Sequence, residues 1–390
     1  MARACYRTTN SVVCTPHQTA EVGPNPGPCG NQQQSFGRED QRVTSSRSTM
    51  QAIPQDPQPI AWREKTPFFQ AGLQGYSDSP MRIIARRHGA PYCVTESLLD
   101  DILLRGGKGL RSQQLDPEDH PVAGQIIGTN PNTMARAARA LLELGYDVID
   151  VNLACPVKKM RDICRGGHLL SRPEAAIDIL RAVREAVGDE APVTVKLRRG
   201  YDDSVESFRN FYRVFEAVRN LGYTFATVHC RTVEQKYVGP ARWPFLAELT
   251  REHQGFPVFG SGDIFTAKSI FRMMTETGVA GVSVARGAIG NPWIFTQALQ
   301  ICAGKDAASP GVHEQRETLL AQYALCVRLH GEADTGRSMR KVGIKMSSLH
   351  PMHAQVEQAF IKCRNNEEWL SVIEEFYGEG VGEAALGNPR

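Results

Sequence analysis

The sequence has no long apolar run and no large excess of charge. None of its 390 residues belongs to an uninterrupted apolar stretch of the roughly 18 to 20 residues that a membrane helix needs, and mean hydropathy is −0.33. Lys and Arg number 45 against 42 Asp and Glu, which gives a net charge of +3. This balance excludes the highly basic proteins that bind nucleic acid by charge alone. We predict a protein that does not span a membrane.

Cysteine is sparse as well, with ten residues in the chain. None stands in a C-x-x-C motif or in a Cys/His array with zinc spacing, so we predict reduced thiols and no metal site. Residues 1–30 lack the continuous apolar core of a secretory signal. A cytoplasmic protein is therefore expected.

The start of the chain contains little that could build a core. The first 60 residues hold seven of the 23 prolines, several polar runs and only two aromatic residues, Tyr6 and Phe36. Such a segment cannot bury enough apolar surface to offset the entropy cost of ordering it. We predict a disordered tail over residues 1–62, with a basic arm or a targeting peptide as the alternative. Met50 is an alternative start.

From Thr66 onward, short apolar runs alternate with amphipathic helical patterns. Eight runs are too short for an ordinary helix, and several are rich in Val and Ile, which predicts strands. They are Phe68–Gly72, Tyr92–Glu96, Val122–Ile127, Val148–Leu153, Val193–Arg198, Thr224–His229, Pro257–Ser261 and Gly281–Arg286. Eight strand-then-helix units predict an α/β fold, a (β/α)8 TIM barrel over residues 63–302. An open doubly wound sheet is the alternative.

After Pro292 the periodicity is helical throughout. Four patterns occur, at Gln315–His330, Arg337–Ser348, Met352–Cys363 and Glu367–Tyr377. We predict a helical domain over residues 303–390. In the second pattern, four basic residues share one helix face, for which a solvated surface is the simplest interpretation: Arg337, Arg340, Lys341 and Lys345.

Polar and ionisable residues recur at the ends of the predicted strands, where barrel enzymes place their chemistry. Gly262 and Asp263 follow the seventh strand, and Arg286 follows the eighth. These two loops often hold a phosphate in barrels, because glycine lets the backbone approach it and arginine neutralises it. We predict a phosphorylated ligand there, with ordinary turns as the alternative.

Two cations point to the same side of the fifth predicted strand. Lys196 and Arg198 alternate along it, and inward cations need an electron-rich ligand or carboxylate partners. A redox-active isoalloxazine ring fits, since its reduced form is anionic and Gln125 and His229 could bond its heteroatoms. A strand-end cap for Gln125 and a core position for His229 are the alternatives.

Cys155 lies in the segment Asn152–Pro156, on the loop that leaves the fourth predicted strand. A thiol at a barrel mouth could be a nucleophile, a proton donor or an apolar filler. Asn152 on the same strand and the rigid Pro156 favour a poised thiol. The nearby Cys164 has no comparable setting.

These motifs, in this order, resemble the tRNA-dihydrouridine synthase family over residues 66–350. The most specific match is Asn152–Pro156 followed by Arg165–Leu170. Further motifs similar to those of the family are Val195–Arg198, His229–Thr232 with Tyr237 and Gly239, Gly262–Ile264 and Arg286–Trp293.

The resemblance implies an FMN-containing barrel followed by a helical domain that binds tRNA. Backbone atoms of Ala71, Gly72 and Leu73 would approach the flavin, and Gln125, Lys196 and His229 would contact its ring. The ribityl chain and phosphate would be held by Ser261, Gly262, Asp263, Ala285 and Arg286.

The same resemblance implies a reaction. NADPH would reduce the flavin, and the flavin N5 would deliver hydride to C6 of a uridine while Cys155 protonates C5, giving 5,6-dihydrouridine. The base must leave the tRNA stack to reach a barrel mouth. It would be held by Asn152, Arg198 and Tyr237, with the tRNA backbone on Arg340, Lys341 and Lys345.

Two positions depart from the family pattern. The segment Ala71–Leu73 stands where the family usually has Ala-Pro-Met, and Ser261 replaces the usual Asn. Neither change removes a reacting group. The alternative functions are an FMN-dependent reductase of a free small molecule, of dihydroorotate or ene-reductase type, and a tRNA-binding protein without catalysis. A monomer is expected.

Overall fold

The computed structural model describes residues 66–105, 115–161, 163–333 and 335–378, so the predicted tail over 1–62 lies outside the described residues. Within these ranges the sheet contains nine parallel strands. They are β1 (Phe68–Gln70), β2 (Cys93–Val94), β3 (Leu98–Leu99), β4 (Val122–Ile127), β5 (Val148–Leu153), β6 (Val193–Arg198), β7 (Phe225–His229), β8 (Val258–Ser261) and β9 (Gly281–Val284).

Eight of these strands close into a barrel. Strands β4 to β9 pair in sequence, β9 pairs with β1, β1 with β2, and β2 with β4. This closed parallel order confirms the predicted (β/α)8 fold and excludes the open sheet. Strand β3 was not predicted: it pairs only with the end of β4, through Leu98 and Leu99 opposite Ile126 and Ile127.

Helices cover the outside of the barrel, and some of them begin at a side-chain cap. Asn130 accepts hydrogen bonds from the backbone N–H groups of Asn132 and Thr133, with proline at the next position, and so starts α3. The helices of this layer are α1 (Ser79–Arg87), α2 (Asp100–Leu104), α3 (Pro131–Glu143), α4 (Lys158–Arg161), α5 (Pro173–Val187), α6 (Val205–Asn220), α7 (Trp243–Glu252), α8 (Ala267–Thr277) and α9 (Trp293–Cys302).

The amino-terminal half of the barrel interior is filled by aromatic rings. The ring of Phe69 lies 5.2 Å from that of Tyr92, 5.5 Å from that of Phe259 and 6.0 Å from that of Phe225, measured between centroids. These rings belong to one buried apolar cluster. A packed floor of this kind leaves ligand space to the opposite, carboxyl end of the strands.

The described residues after the barrel form four longer helices with a core of their own. Trp369, Phe360 and Met339 are buried in this core, and the ring of Tyr323 stacks on Trp369 with the centroids 4.9 Å apart. No helix of the described chain is both long and apolar enough to cross a membrane. The four helices are α10 (Val312–His330), α11 (Thr335–Met346), α12 (His353–Lys362) and α13 (Asn366–Tyr377).

The helical region packs closely on the barrel. Ile83 and Ile84 of α1 share a buried cluster with Leu325 of α10. At Gly290, in the loop after β9, a Cβ atom would lie only 2.5 Å from the backbone nitrogen of Met346. The absence of a side chain at Gly290 therefore lets this loop touch the end of α11.

Candidate active site

A cavity of about 420 Å³ opens at the carboxyl ends of the strands. This volume lies within the roughly 300 to 1,000 Å³ of small-molecule sites. Ala71 lines a smaller void below it, whereas Gly262 and Asp263 do not line it. The predicted site residues that the structure brings together around the cavity are Gly72, Leu73, Gln125, Asn152, Cys155, Lys196, Arg198, His229, Tyr237, Ser261, Ala285 and Arg286.

One side of the site is a closed hydrogen-bond network on β4, β5 and the loop after β2. Gln125 Oε1 accepts from Asn152 Nδ2 at 2.8 Å and from the Ser97 hydroxyl. Gln125 Nε2 donates to Asp150 Oδ2 at 2.7 Å, and the other Asp150 oxygen accepts from Thr194 Oγ1 at 2.6 Å. We call Ser97, Gln125, Asp150 and Asn152 the amide wall.

Asp150 is a buried carboxylate at the base of the amide wall. Burial raises the pKa of this carboxyl group, while the hydrogen bonds from Thr194 and Gln125 and the charge of Lys196 act in the opposite direction. Its Oδ2 fixes the amide orientation of Gln125, because only the Nε2 end of that amide can donate to a carboxylate.

Asn152 anchors the cysteine loop. Its Oδ1 accepts hydrogen bonds from the backbone N–H groups of Ala154 at 2.9 Å and Cys155 at 3.0 Å. Since its Nδ2 is bonded within the amide wall, the whole side-chain amide is engaged by the protein. Contact between Asn152 and a uracil base therefore stays a prediction.

The loop that carries Cys155 is held from several directions. The Cys155 carbonyl accepts from the backbone N–H of Gly167 at 3.1 Å, and Arg198 Nε donates to the Ala154 carbonyl at 2.8 Å. Gly166 has φ +63°, and a Cβ there would lie 3.0 Å from Cys155 Cβ. The half-buried thiol thus stands at the cavity edge on a fixed backbone.

The other side of the site carries the cations Lys196, Arg198 and Arg286. Together with Arg231, which does not line the cavity but pairs with Asp263 as Arg286 does, we call them the cationic wall. Lys196 makes no hydrogen bond or ion pair with any residue in the described ranges. Burial lowers the pKa of Lys196, against the nearby carboxylate of Asp150, which raises it. Burial also lowers the pKa of Arg198, to about 10.

Asp263 is the carboxylate that pairs with the cationic wall. It lies 2.7 Å from Arg231 and 3.2 Å from Arg286, and its Oδ2 accepts from the backbone N–H of Ala241 at 2.8 Å. Burial acts to raise the pKa of Asp263, but the hydrogen bonds from Arg231 and the Ala241 backbone, together with the charges of Arg231 and Arg286, outweigh it and the pKa is lowered. The side chain is therefore occupied by protein partners.

His229 presents a neutral imidazole to the cavity. Burial, together with the charges of Arg198 and Lys196, lowers the pKa of His229 well below its ordinary value. Its Nδ1 lies 3.4 Å from Ser261 Oγ, and its buried Nε2 has no hydrogen-bond partner among the described residues. An unsatisfied buried nitrogen indicates a place for a ligand atom.

Comparison with known protein families identifies the family to which this chain belongs. The sequence profile described as Dihydrouridine synthase (Dus) matches residues 69–379. The chain belongs to the dihydrouridine synthase family. The match includes both walls of the cavity and helices α10 to α13, so the helical region is part of what this member shares with the family.

Curated relatives agree with this assignment. A protein named tRNA-dihydrouridine synthase B, from Xanthomonas axonopodis pv. citri, is 30% identical over 309 residues, which are 79% of this chain and 91% of that protein. One of the same name from Pseudomonas syringae pv. tomato is 32% identical over 315 residues, 80% of this chain and 91% of its own. The solved structure of a histamine dehydrogenase from Rhizobium sp. 4-9 is 16% identical, with a TM-score of 0.48 over 66% of this chain and 49% of its own, too distant a likeness to support a functional argument.

In this member of the dihydrouridine synthase family, the three basic residues predicted on α11 differ in their surroundings. Arg340 and Lys345 are exposed. Lys341 is half-buried, its ammonium donates to the Gly75 carbonyl, and it lies 5.2 Å from the ring centroid of Tyr76. The interpretation of this helix face as merely solvated is therefore wrong at Lys341, because it contacts the barrel loop after β1.

Ser97 and Asp150 belong to the site but were not predicted from the sequence. Asp150 had a detectable signal, since it is a lone carboxylate inside the apolar run Val148–Leu153. Ser97 had none, because a serine in a loop is unremarkable. Among the described residues, no group of three or more His, Cys, Asp or Glu side chains could hold a metal ion.

Proposed function

We propose that this protein reduces the C5–C6 double bond of a uridine in tRNA to give 5,6-dihydrouridine, with FMN bound in the cavity. The observation that carries the proposal is the pairing, across one cavity, of the fixed half-buried thiol of Cys155 with the unpartnered ammonium of Lys196. Membership of the dihydrouridine synthase family and the names of the relatives supply the substrate.

The residues present fit a flavin mononucleotide. The Lys196 ammonium and the orphaned Nε2 of His229 offer polar contacts to a ring. Gly262, with φ +126°, has no room for a side chain, since a Cβ there would lie 2.7 Å from Ala241 Cβ. That bare backbone beside Arg286 suits a phosphate.

The cofactor contacts proposed here include residues that line the cavity and three, Ala71, Gly262 and Asp263, that lie beside it. Gln125, Lys196 and His229 would contact the ring, and Asp263 would contribute backbone N–H rather than its occupied carboxylate. The other groups would be the backbone of Ala71, Gly72 and Leu73 along the ring, and Ser261, Gly262, Ala285 and Arg286 at the ribityl phosphate.

When bound and reduced by NADPH, FMN would supply the hydride. The chain's own residues do the rest: Cys155 Sγ would act as the general acid that gives its proton to C5 of the uracil. Asn152 keeps the Cys155 backbone in place. Arg198 and Tyr237 would orient the base at the mouth of the cavity.

A pair of cysteine variants tests the acid. Purified wild-type protein should show flavin absorption and form dihydrouridine in tRNA that lacks it, given NADPH. Cys155→Ala should keep the flavin and lose at least about 100-fold in product formation, the usual contribution of an acid. Cys164→Ala, a half-buried thiol of the same loop region, serves as the control.

Each other outcome has a definite meaning. Undiminished product from Cys155→Ala would contradict its role as the acid. Turnover of a free pyrimidine or enone without tRNA would favour the small-molecule reductase. Binding of tRNA by a protein that takes up no flavin would favour a binding protein without catalysis.

A further inference from the structure

Four side chains, alternately cationic and aromatic, follow one another from the cavity to the surface. Arg198 and Arg286 each lie over the ring of Tyr237, with the guanidinium carbon 5.5 Å from the ring centroid. Arg286 also lies over the ring of Phe265 at 5.1 Å. We call Arg198, Tyr237, Arg286 and Phe265 the stacked row.

Exposure along the stacked row rises sharply from its inner end, since Arg198 is buried whereas Tyr237 is 56% exposed. Arg198 is buried and, like Tyr237 and Arg286, lines the cavity. Phe265 does not line the cavity and is 49% exposed. The row therefore continues the proposed substrate site outward and ends in an accessible aromatic face.

The backbone holds Phe265 in a fixed position. A Cβ at Gly287 would lie 2.9 Å from Phe265 Cα, so the turn after β9 packs directly against it. On its other side, Thr266 caps α8 by accepting from the backbone N–H of Ser269. The ring is thus presented at one place and not on a loose loop.

Arg286 can stack and bind a phosphate at the same time. Its guanidinium carbon lies over the rings of Tyr237 and Phe265, and its Nη2 lies 3.2 Å from Asp263 Oδ1. A guanidinium uses its faces for aromatic contacts and its edge for hydrogen bonds. The proposed cofactor phosphate and the stacked row therefore do not compete for the same surface of Arg286.

The chemistry of the row matches single-stranded RNA. A uridine that enters the barrel must leave its helical stack, and its neighbours then lose a stacking partner. Aromatic rings and guanidinium planes are the groups on which unstacked RNA bases pack. Two cations in the row also suit a polyanionic strand.

We propose that Phe265 is a stacking site for an unpaired base next to the uridine that enters the cavity. The proposal rests on the proposed function, because it takes the same tRNA as its ligand. It assigns to the outer end of the stacked row a base subsite that is separate from the reacting centre.

The test compares two exposed phenylalanines in the flavin-loaded protein. Phe265→Ala should raise the Kd for tRNA about tenfold, as the loss of one aromatic stack does. The slope of log Kd against log salt should not change, because no charge is removed. Phe265→Trp should retain wild-type affinity. Phe208→Ala, on α6 and 48% exposed in the native protein, should bind like the wild type.

The possible failures are distinguishable. The stacking site would be refuted if Phe265→Ala bound tRNA with the wild-type Kd, or if Phe208→Ala lost as much tRNA affinity as Phe265→Ala. In either case, dihydrouridine formation by the wild-type protein would still support the proposed function. A wild-type protein that neither binds tRNA nor modifies it would refute the proposed function itself. If Phe265→Ala does not fold, Phe265→Leu replaces it, and wild-type affinity in that variant also overturns the proposal.

Discussion

The two walls of the cavity differ in how far the protein itself satisfies them. In the amide wall, the Asp150, Gln125 and Asn152 side chains are all bonded to other protein groups. In the cationic wall, Lys196 has no partner among the described residues, and the adjoining His229 has an orphaned nitrogen. A half-buried charge without a protein partner is only partly hydrated, so the cationic wall has the most to gain from an electron-rich ligand. The amide wall fixes positions before any ligand arrives.

The largest effect expected from this comparison is on the cationic wall. Lys196→Met should weaken FMN binding by about 10- to 100-fold, because a hydrogen bond from a charged group contributes roughly 1.5 to 3 kcal/mol. Titration calorimetry of the flavin-free protein measures this. Lys305→Met, at an exposed position beyond the barrel, is the control. Equal affinity in the two variants would mean that Lys196 is not part of the flavin site.

A moderate loss of folding stability is expected when the amide wall is broken. Asp150→Asn leaves one acceptor oxygen for two donors, Gln125 Nε2 and Thr194 Oγ1, so one buried hydrogen bond of the pair is lost. The free energy of unfolding should fall by about 1 to 3 kcal/mol, measured by urea denaturation. It should also lower the pKa of Lys196, whose charge the Asp150 carboxylate favours.

Two further variants test whether the stability depends on the buried hydrogen bond of Asp150. One restores that bond, and the other removes an exposed carboxylate as a control. The double variant Asp150→Asn with Gln125→Glu returns a carboxylate to the same hydrogen bond and should recover part of the stability. Asp178→Asn, in an exposed ion pair with Arg181, should change stability little. If it were as destabilising as Asp150→Asn, the amide wall would have no special role.

The smallest effects are expected for variants of two neighbouring cations on α11, Arg340 and Lys341, which should differ in whether they weaken FMN binding or tRNA binding. Lys341→Met should weaken FMN binding only a few-fold, because it removes one half-buried contact to the loop after β1. Arg340→Met should leave FMN binding unchanged, weaken tRNA binding and lower the salt slope by about one. The reverse pattern would show that Lys341, and not Arg340, faces the RNA.

The barrel was predictable because its strands carry their own pattern. The runs Val148–Leu153 and Val193–Arg198 are the observed β5 and β6 at both ends. Strand β3 escaped prediction because two residues show no periodicity. The predicted first strand ends earlier, at Gln70, where Gly72 already lies against the Thr95 carbonyl: a Cβ on Gly72 would be 2.2 Å from that oxygen.

Much of the cavity lining was also predictable, since parallel strands bring their carboxyl ends together. The partners of each side chain were not. Arg231 forms an ion pair with Asp263, which lies in a different loop. Lys341 donates a hydrogen bond to the carbonyl of Gly75, which is 266 positions away in sequence. Such contacts depend on how loops and helices pack, and no local pattern in the sequence records them.

The close approach at Gly290 limits how the two parts of this family can be exchanged. A side chain at that position would collide with the backbone at the end of α11. A chimera that joined this barrel to the helices of a relative would have to keep the glycine together with the helix end that it touches. We therefore expect the barrel and the helical region to be exchanged between proteins only together. Recombination breakpoints between residues 290 and 346 should be disfavoured.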